Sequence, residues 1–209
     1  MFSLNLSTTD PGPLNLKLNL MKQIFTMLAG IFPMSEELME YLKMTLEAFE
    51  LRRKQYLLRK GQVNDRIYFV EEGILKCYYE DDNKKKTTLW FMDEGNVIVA
   101  VDSFFSRTPS SEVIQALEDC VLYGITYDQL YYAYKTFIEF NFHGRELITK
   151  YYEWSNKRMT MLQRLHAPER YLFTKRIQPG IVNRVSGRDL SSYLGIDEAT
   201  LSRIKKRYD

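Results

Sequence analysis

"GRDLSSYLGIDEATLSRIKKRYD", Gly187 to Asp209, holds two apolar series separated by one glycine. Leu190 and Leu194 stand four apart before Gly195, and Ile196, Leu201 and Ile204 follow it. Steps of four and three lie on one face of an α-helix, so the stretch reads as two short helices folded onto each other. Their axes can approach closely only past a small side chain, which Ser191 supplies, and the turn requires a positive φ, which Gly195 adopts without strain. Asp197 stands where the second helix needs an N-cap. These constraints fit a helix-turn-helix position by position, against the plainer alternative of an ordinary helix pair using the same turn.

The charge around this stretch is lopsided. From Ser155 to Asp209 there are 12 Lys or Arg against 5 Asp or Glu, which leaves +7 there and −5 on the remainder, within a net charge of +2. A basic C-terminal quarter on an acidic body points to a polyanion bound by that quarter alone, here double-stranded DNA. The outward positions of the second helix are Asp197, Glu198, Ala199, Thr200, Ser202, Arg203 and Lys206. Arg203 is the best placed to read a guanine edge with two donors, and Glu198 to accept from a cytosine amino group. Thr200, Lys205, Lys206 and Arg207 suit phosphates, and Ser202 lies on the same face.

The 209 residues are 45% apolar, enough for one generous domain or two modest ones. No run of 18 apolar residues occurs, and the first twenty residues lack the basic start and apolar block of a signal peptide, so a cytoplasmic protein without a membrane partner is expected. Cys77 and Cys120 are the only cysteines and His143 and His166 the only histidines. A zinc site or Cys-His nucleophile would need nearly all four to converge, so no metal and no cofactor is expected, and both thiols read as buried and inert. The carboxylates are scattered and neither a GxSxG nor a GKS or GKT loop is present, so no catalytic residue is assigned and an enzyme is not expected.

Along the chain, residues 1–20, with Pro11, Gly12 and Pro13, read as a loose arm. Helical spacing runs from Leu20 to about Phe49, broken at Pro33, with Ser35 as an N-cap before Glu36 and Glu37. From Phe49 to about Tyr127 the period changes to two, in short runs punctuated by Gly61, Gly73 and Gly95 and by the polar hairpin "DDNKKK", which predicts an antiparallel barrel or jelly roll. After Asp128 the helical period returns. Leu147, Tyr151, Trp154, Arg158, Met161 and Leu165 follow steps of four and three, the seam of a coiled coil. Such a stripe either fills the chain's own core or seats a partner helix, and the length of this helix, bridging two units, strengthens the case for a partner. Arg158 interrupts it and marks a polar contact or register.

The order of these parts resembles the Crp/Fnr family of bacterial transcriptional regulators, in its Bacteroidetes-type branch. The likeness covers about residues 25 to 209 and rests on "RIYFVEEGILKCYYED", "DEGNVIV" and "DLSSYLGIDEATLSRIKK", with the short entry "APERYLFTKR". It implies an α+β chain: an N-terminal arm (1–20), a cyclic-nucleotide-binding-like jelly roll as sensor (21–135), a dimerisation helix (136–166) and a helix-turn-helix domain (167–209). It also implies a homodimer whose second C-terminal helices enter successive major grooves, and allows contact with RNA polymerase. The sequence stops five residues after Ile204, with no room for a β-hairpin wing, so the resemblance leaves backbone contacts to residues such as Arg184 and Arg188.

Members of that family that bind cyclic AMP hold the ribose with a Gly-Glu pair and the phosphate with an Arg-Ser pair. Counting from Gly95 and back from Cys120 puts Val99 and Ala100 at the first pair and Ser110 and Ser111 at the second. Only a serine survives. A buried phosphate without its arginine is an uncompensated charge, costing on the order of 3 to 5 kcal/mol, so cyclic AMP is not the expected effector. Arg107, three residues before Ser110, is the one cation near enough to swing inward, and Phe104 and Phe105 are the side chains expected to fill the space otherwise. The first 76 residues hold no cysteine, which removes the family's iron-sulfur sensing, and Cys77 alone makes a poor haem case. An unknown small-molecule effector, a protein contact or no effector remains. The competing function, from another class, is a small-molecule or nucleotide sensor whose β domain is the main functional part and whose DNA binding is vestigial.

Overall fold

The computed structural model describes residues 21–209, so the arm read over residues 1–20 lies outside the described residues. Two helices lead, α1 (Lys22–Ile31) and α2 (Glu36–Thr45), with Ser35 Oγ accepting from Leu38 N at 3.2 Å as the expected N-cap. The helical period ends earlier than the sequence suggested. Leu46 already has φ −68° and ψ 120°, and Glu47–Leu51 is strand β1, because these five residues pair with a strand some seventy residues later.

Seven further strands follow: β2 (Tyr56–Leu58), β3 (Arg66–Glu72), β4 (Leu75–Glu80), β5 (Lys86–Met92), β6 (Val97–Ile98), β7 (Glu112–Ala116) and β8 (Cys120–Thr126). They form two four-stranded antiparallel sheets, ordered β1-β8-β3-β6 and β2-β7-β4-β5, the two layers of a jelly roll. The β4–β5 hairpin is "DDNKKK" as read: Asp81 Oδ1 accepts from the backbone N–H of Asn83 and Lys85. Between β3 and β4 only glycine fits, since Gly73 has φ 93° and a Cβ there would lie 2.5 Å from Asp119 O. A short helix, α3 (Val101–Ser106), lies in the crossing from β6 to β7.

Helices α4 (Tyr127–Thr136) and α5 (Phe140–Arg164) come next; at 25 residues α5 is roughly 37 Å long. The C-terminal unit is α6 (Ala167–Ile177), α7 (Pro179–Arg184), α8 (Gly187–Leu194) and α9 (Glu198–Tyr208).

Strand alternation sends side chains to three apolar cores. Tyr68, Val70, Cys77, Ile114 and Leu122 meet between the sheets. Phe69 and Tyr123, one residue over, face Ile24, Leu28, Leu38 and Leu42 of α1 and α2, and Leu130 of α4. On the far side of the other sheet Ile74 and Phe91 join Met161, Tyr171, Leu190, Tyr193, Leu194, Leu201 and Ile204. The third core is shared by the β domain and the C-terminal helices. Among the described residues no helix is long and apolar enough to cross a membrane.

Candidate nucleic-acid interface and effector cup

In the C-terminal unit each local constraint finds its partner. Ser186 Oγ accepts from Asp189 N at 3.1 Å at the start of α8, and Asp197 Oδ1 accepts from Thr200 N at 2.7 Å at the start of α9. Gly195 sits at φ 65° between them, and Ser191 is buried against the second helix with its hydroxyl on Arg188 O. Leu190, Leu194, Leu201 and Ile204 are buried, and Ile196 packs on them. The sequence did not single out Arg170, whose guanidinium donates to Leu162 O, Leu165 O and Leu194 O at 2.9 to 3.0 Å. Those are the last carbonyls of α5 and α8, which helix geometry leaves without partners.

The opposite face of α9 is open. Glu198, Ser202, Arg203, Lys206 and Arg207 are exposed, and Thr200 and Lys205 are half-buried. Arg203 folds back along its helix, Nη2 donating to Thr200 Oγ1 at 3.0 Å, and that hydroxyl donates to Asp197 Oδ2 at 2.8 Å. The backbone N–H of Thr200 holds the Asp197 carboxyl below its ordinary range. The Arg203 side chain thus lies along the exposed face of α9. Arg188 is exposed at the first turn of α8. Arg184, expected to be free for backbone contacts, is spent elsewhere: it holds both oxygens of Glu94 at 2.8 Å, and Glu118 at 2.6 Å.

The stripe read on α5 turns inward. Tyr151 and Trp154 pack on Trp90 of β5, with ring centroids 5.5 and 5.7 Å apart. Arg158 donates to Leu89 O and Thr88 O, Met161 is buried, Leu165 packs on the third core and Leu147 is half-buried. The assignment to a dimer seam is therefore corrected for Tyr151, Trp154, Arg158, Met161 and Leu165, which pack on the chain's own β5 and C-terminal core. A second series one residue on, Ile148, Tyr152, Ser155 and Met159, keeps the same steps of four and three. Ile148, Tyr152 and Met159 of that series are 63%, 65% and 52% exposed.

The five residues assigned to an effector pocket do not share one hollow. Val99 packs toward α1 and α2, while Ala100 is buried at the start of α3 with its N–H on Asn64 Oδ1. Ser110 is buried, its hydroxyl satisfied by the N–H and O of Glu112, and Ser111 is exposed. Arg107 does not swing toward Ser110. Its guanidinium lies 5.5 Å from the Tyr127 ring, lining an open hollow of about 480 Å³ with Asp65, Thr126, Tyr127 and Asp128. Phe104 is buried in the core toward α4 and Phe105 is 45% exposed, so neither packs between the sheets; Tyr151, Trp154 and Trp90 pack against the core there.

Beside Ser110 the ionisable side chain is an acid. Glu112 accepts from Cys77 Sγ and Tyr79 Oη, each at 3.4 Å, and burial pushes its carboxyl up, with the Asp102 charge adding to the shift. Burial likewise raises the thiols, Cys120 to about 11 and Cys77 further, as expected of inert cysteines.

Residues 48–137 match the family model of the cyclic nucleotide-binding domain. No curated protein matches the chain in sequence. Among solved structures, FixK2 from Bradyrhizobium japonicum is similar with a TM-score of 0.66 at 18% identity, over 78% of this chain and 84% of that one. CLP from Xanthomonas campestris, described as a c-di-GMP responsive global regulator, gives 0.63 at 16% identity, over 83% and 91%. A Crp/Fnr-family transcriptional regulator from Eubacterium rectale gives 0.65 at 14% identity, over 86% and 87%. With the jelly roll, the long helix and the C-terminal helix pair in that order, the chain has the fold of the Crp/Fnr regulators, its residues 48–137 being similar to the cyclic nucleotide-binding domain.

Proposed function

We propose that the chain is a sequence-specific DNA-binding regulator of transcription that acts as a homodimer and does not take cyclic AMP as its effector. The observation that carries this reading is the division of α9: Leu201 and Ile204 are buried, while Arg203, Lys206 and Arg207 stand exposed on the other side. A helix packed only for stability has no need of three uncovered cations beside an open groove-width face. Dimerisation runs through the outward stripe Ile148, Tyr152 and Met159, whose apolar area water would otherwise wet. Cyclic AMP is disfavoured because the phosphate position holds Ser110, neutral and with its hydroxyl already engaged, and the side chain beside it is the carboxyl of Glu112 and not a cation.

Binding of genomic fragments across a salt series tests the reading. A specific site is expected, at an affinity at least about 1,000-fold above random DNA and falling steeply with salt. Arg203→Ala should lose about 1 to 3 kcal/mol of discrimination at one base of each half-site. Equal weak binding to every fragment sinks the proposal.

A further inference from the structure

β5 is the edge of its sheet, and an edge leaves backbone groups that must find partners. Here the partners are side chains of the C-terminal half. The Ser192 hydroxyl of α8 accepts from Thr88 N at 2.9 Å and donates to Lys86 O at 3.0 Å. Arg158 of α5 donates to Thr88 O and Leu89 O at 2.9 and 2.7 Å. On the neighbouring strand Lys76 pairs with Asp189 of α8 at 2.5 Å, with side chains only 9% and 19% exposed. Between these polar points Phe91 packs on Tyr193, ring centroids 5.2 Å apart.

We infer that Lys76, Asp189, Ser192 and Arg158 are positioning residues that latch the helix-turn-helix unit at one angle on the β domain and so fix the separation of the two recognition helices in the dimer. The inference rests on the DNA-binding reading above. Apolar contact alone lets one surface slide on another. A buried ion pair and hydrogen bonds to a sheet edge do not, because any slide leaves their groups unpaired in a low dielectric. Holding α8 holds α9, since Leu190 and Leu194 pack on Leu201 and Ile204. The same α5 that supplies Arg158 carries the outward stripe Ile148, Tyr152 and Met159, so the angle is fixed relative to the dimer axis itself. The latched state leaves Arg203, Lys206 and Arg207 exposed; the latch orients the recognition helix and does not cover it.

The test uses the full chain with nitroxide labels at Asp82→Cys and Asn183→Cys, diluted with unlabelled chains so that only distances within one chain are read. Without other change the distance distribution is expected to be narrow. Lys76→Glu, which sets like charges face to face, should broaden it, and the exchange Lys76→Glu with Asp189→Lys should narrow it again. Ser192→Ala serves as a milder second variant with partial broadening, should Lys76→Glu fail to fold. A broad distribution in the parent, or one that neither Lys76→Glu nor Ser192→Ala alters, overturns the latch whether or not the protein binds DNA. On a site selected from random DNA, the parent should prefer one half-site spacing on the order of 100-fold. Lys76→Glu should bring that ratio toward one with single half-site affinity unchanged, and the exchange should restore it; a ratio that survives a broadened distribution overturns the inference. Absence of any sequence preference in the parent is a failure of the DNA-binding reading, and the label distances then decide the latch alone.

Discussion

Replacing Arg158 is the sharpest test of how the two halves of the chain are joined. The residue is 8% exposed and burial pulls its guanidinium below the ordinary arginine value. It makes no ion pair with a carboxylate among the described residues; its charge is held by Leu89 O, Thr88 O and the faces of Tyr193 and Trp90, 4.4 and 5.7 Å from the ring centroids. Leu89 lies where the β4–β5 register shifts, between Cys77 and Tyr78, so this carbonyl has lost its ladder partner. Arg158→Ala orphans both carbonyls, at about 1 to 1.5 kcal/mol each, and gives up about 1 kcal/mol of cation–ring attraction. Relief of the buried charge offsets part of this, leaving a loss of about 3 kcal/mol. For a chain of this size that is a fall of about 6 to 12 °C in Tm, read by calorimetry and by urea unfolding. Arg158→Lys keeps the charge but loses the fork, and should recover about half. Arg158→Met decides the matter: it keeps the volume and removes the charge, yet still orphans the carbonyls, so a loss of about 2 kcal/mol is expected. A neutral or stabilising Arg158→Met would refute the reasoning, because the carbonyls would then need no cation.

Three further perturbations bear on the same architecture. Ile148→Glu combined with Met159→Glu should give monomers in sedimentation while Leu147→Ala does not; a persistent dimer would place the interface elsewhere. Glu94, held down at about 2 by the Arg184 guanidinium, has a folded value below the unfolded 4.5, so its contribution is full above the latter and lost as pH falls between the two. Stability should drop from pH 5 to pH 3, and Glu94→Gln should flatten that drop, although burial of neighbouring Asp93 raises its carboxyl and opposes the trend. Gly195→Ala forces a Cβ into φ 65° with Arg170 Nη1 at 3.3 Å, and about 1 to 2 kcal/mol should be lost in urea unfolding.

What the sequence disclosed depended on how local the cause was. Ser191, Gly195 and Asp197 each answer a demand raised within a few residues, so the helix-turn-helix was legible to the residue. The eight-strand region was legible as a period of two, but its first strand was not, because Glu47–Leu51 is extended only through its pairing with Cys120–Gly124. On α5 two apolar stripes lie one residue apart, and spacing cannot say which faces inward. Trp90 decides that, sixty residues away. Arg184 looked like a free cation for the same reason: Glu118 and Glu94, its carboxylates, lie 66 and 90 residues back. Nor does any local pattern encode the packing of Tyr151 and Trp154 on Trp90, which depends on how α5 docks.

The interruption of the α5 stripe by an arginine now has a physical cause. Going along the helix, Tyr151 and Trp154 pack on Trp90, Arg158 meets the irregular edge of β5, and Met161 enters the core shared with α8 and α9. An aliphatic residue at position 158 would match its neighbours but would bury two carbonyls with nothing to receive. A carboxylate would repel them. Only a long cation with a planar fork reaches both carbonyls and stacks on Tyr193 of α8 at the same time. Aromatic cover, sheet-edge anchor and C-terminal core contact thus follow one another on successive turns of α5, so the residue that meets the β5 edge also sets where α8 lies against it.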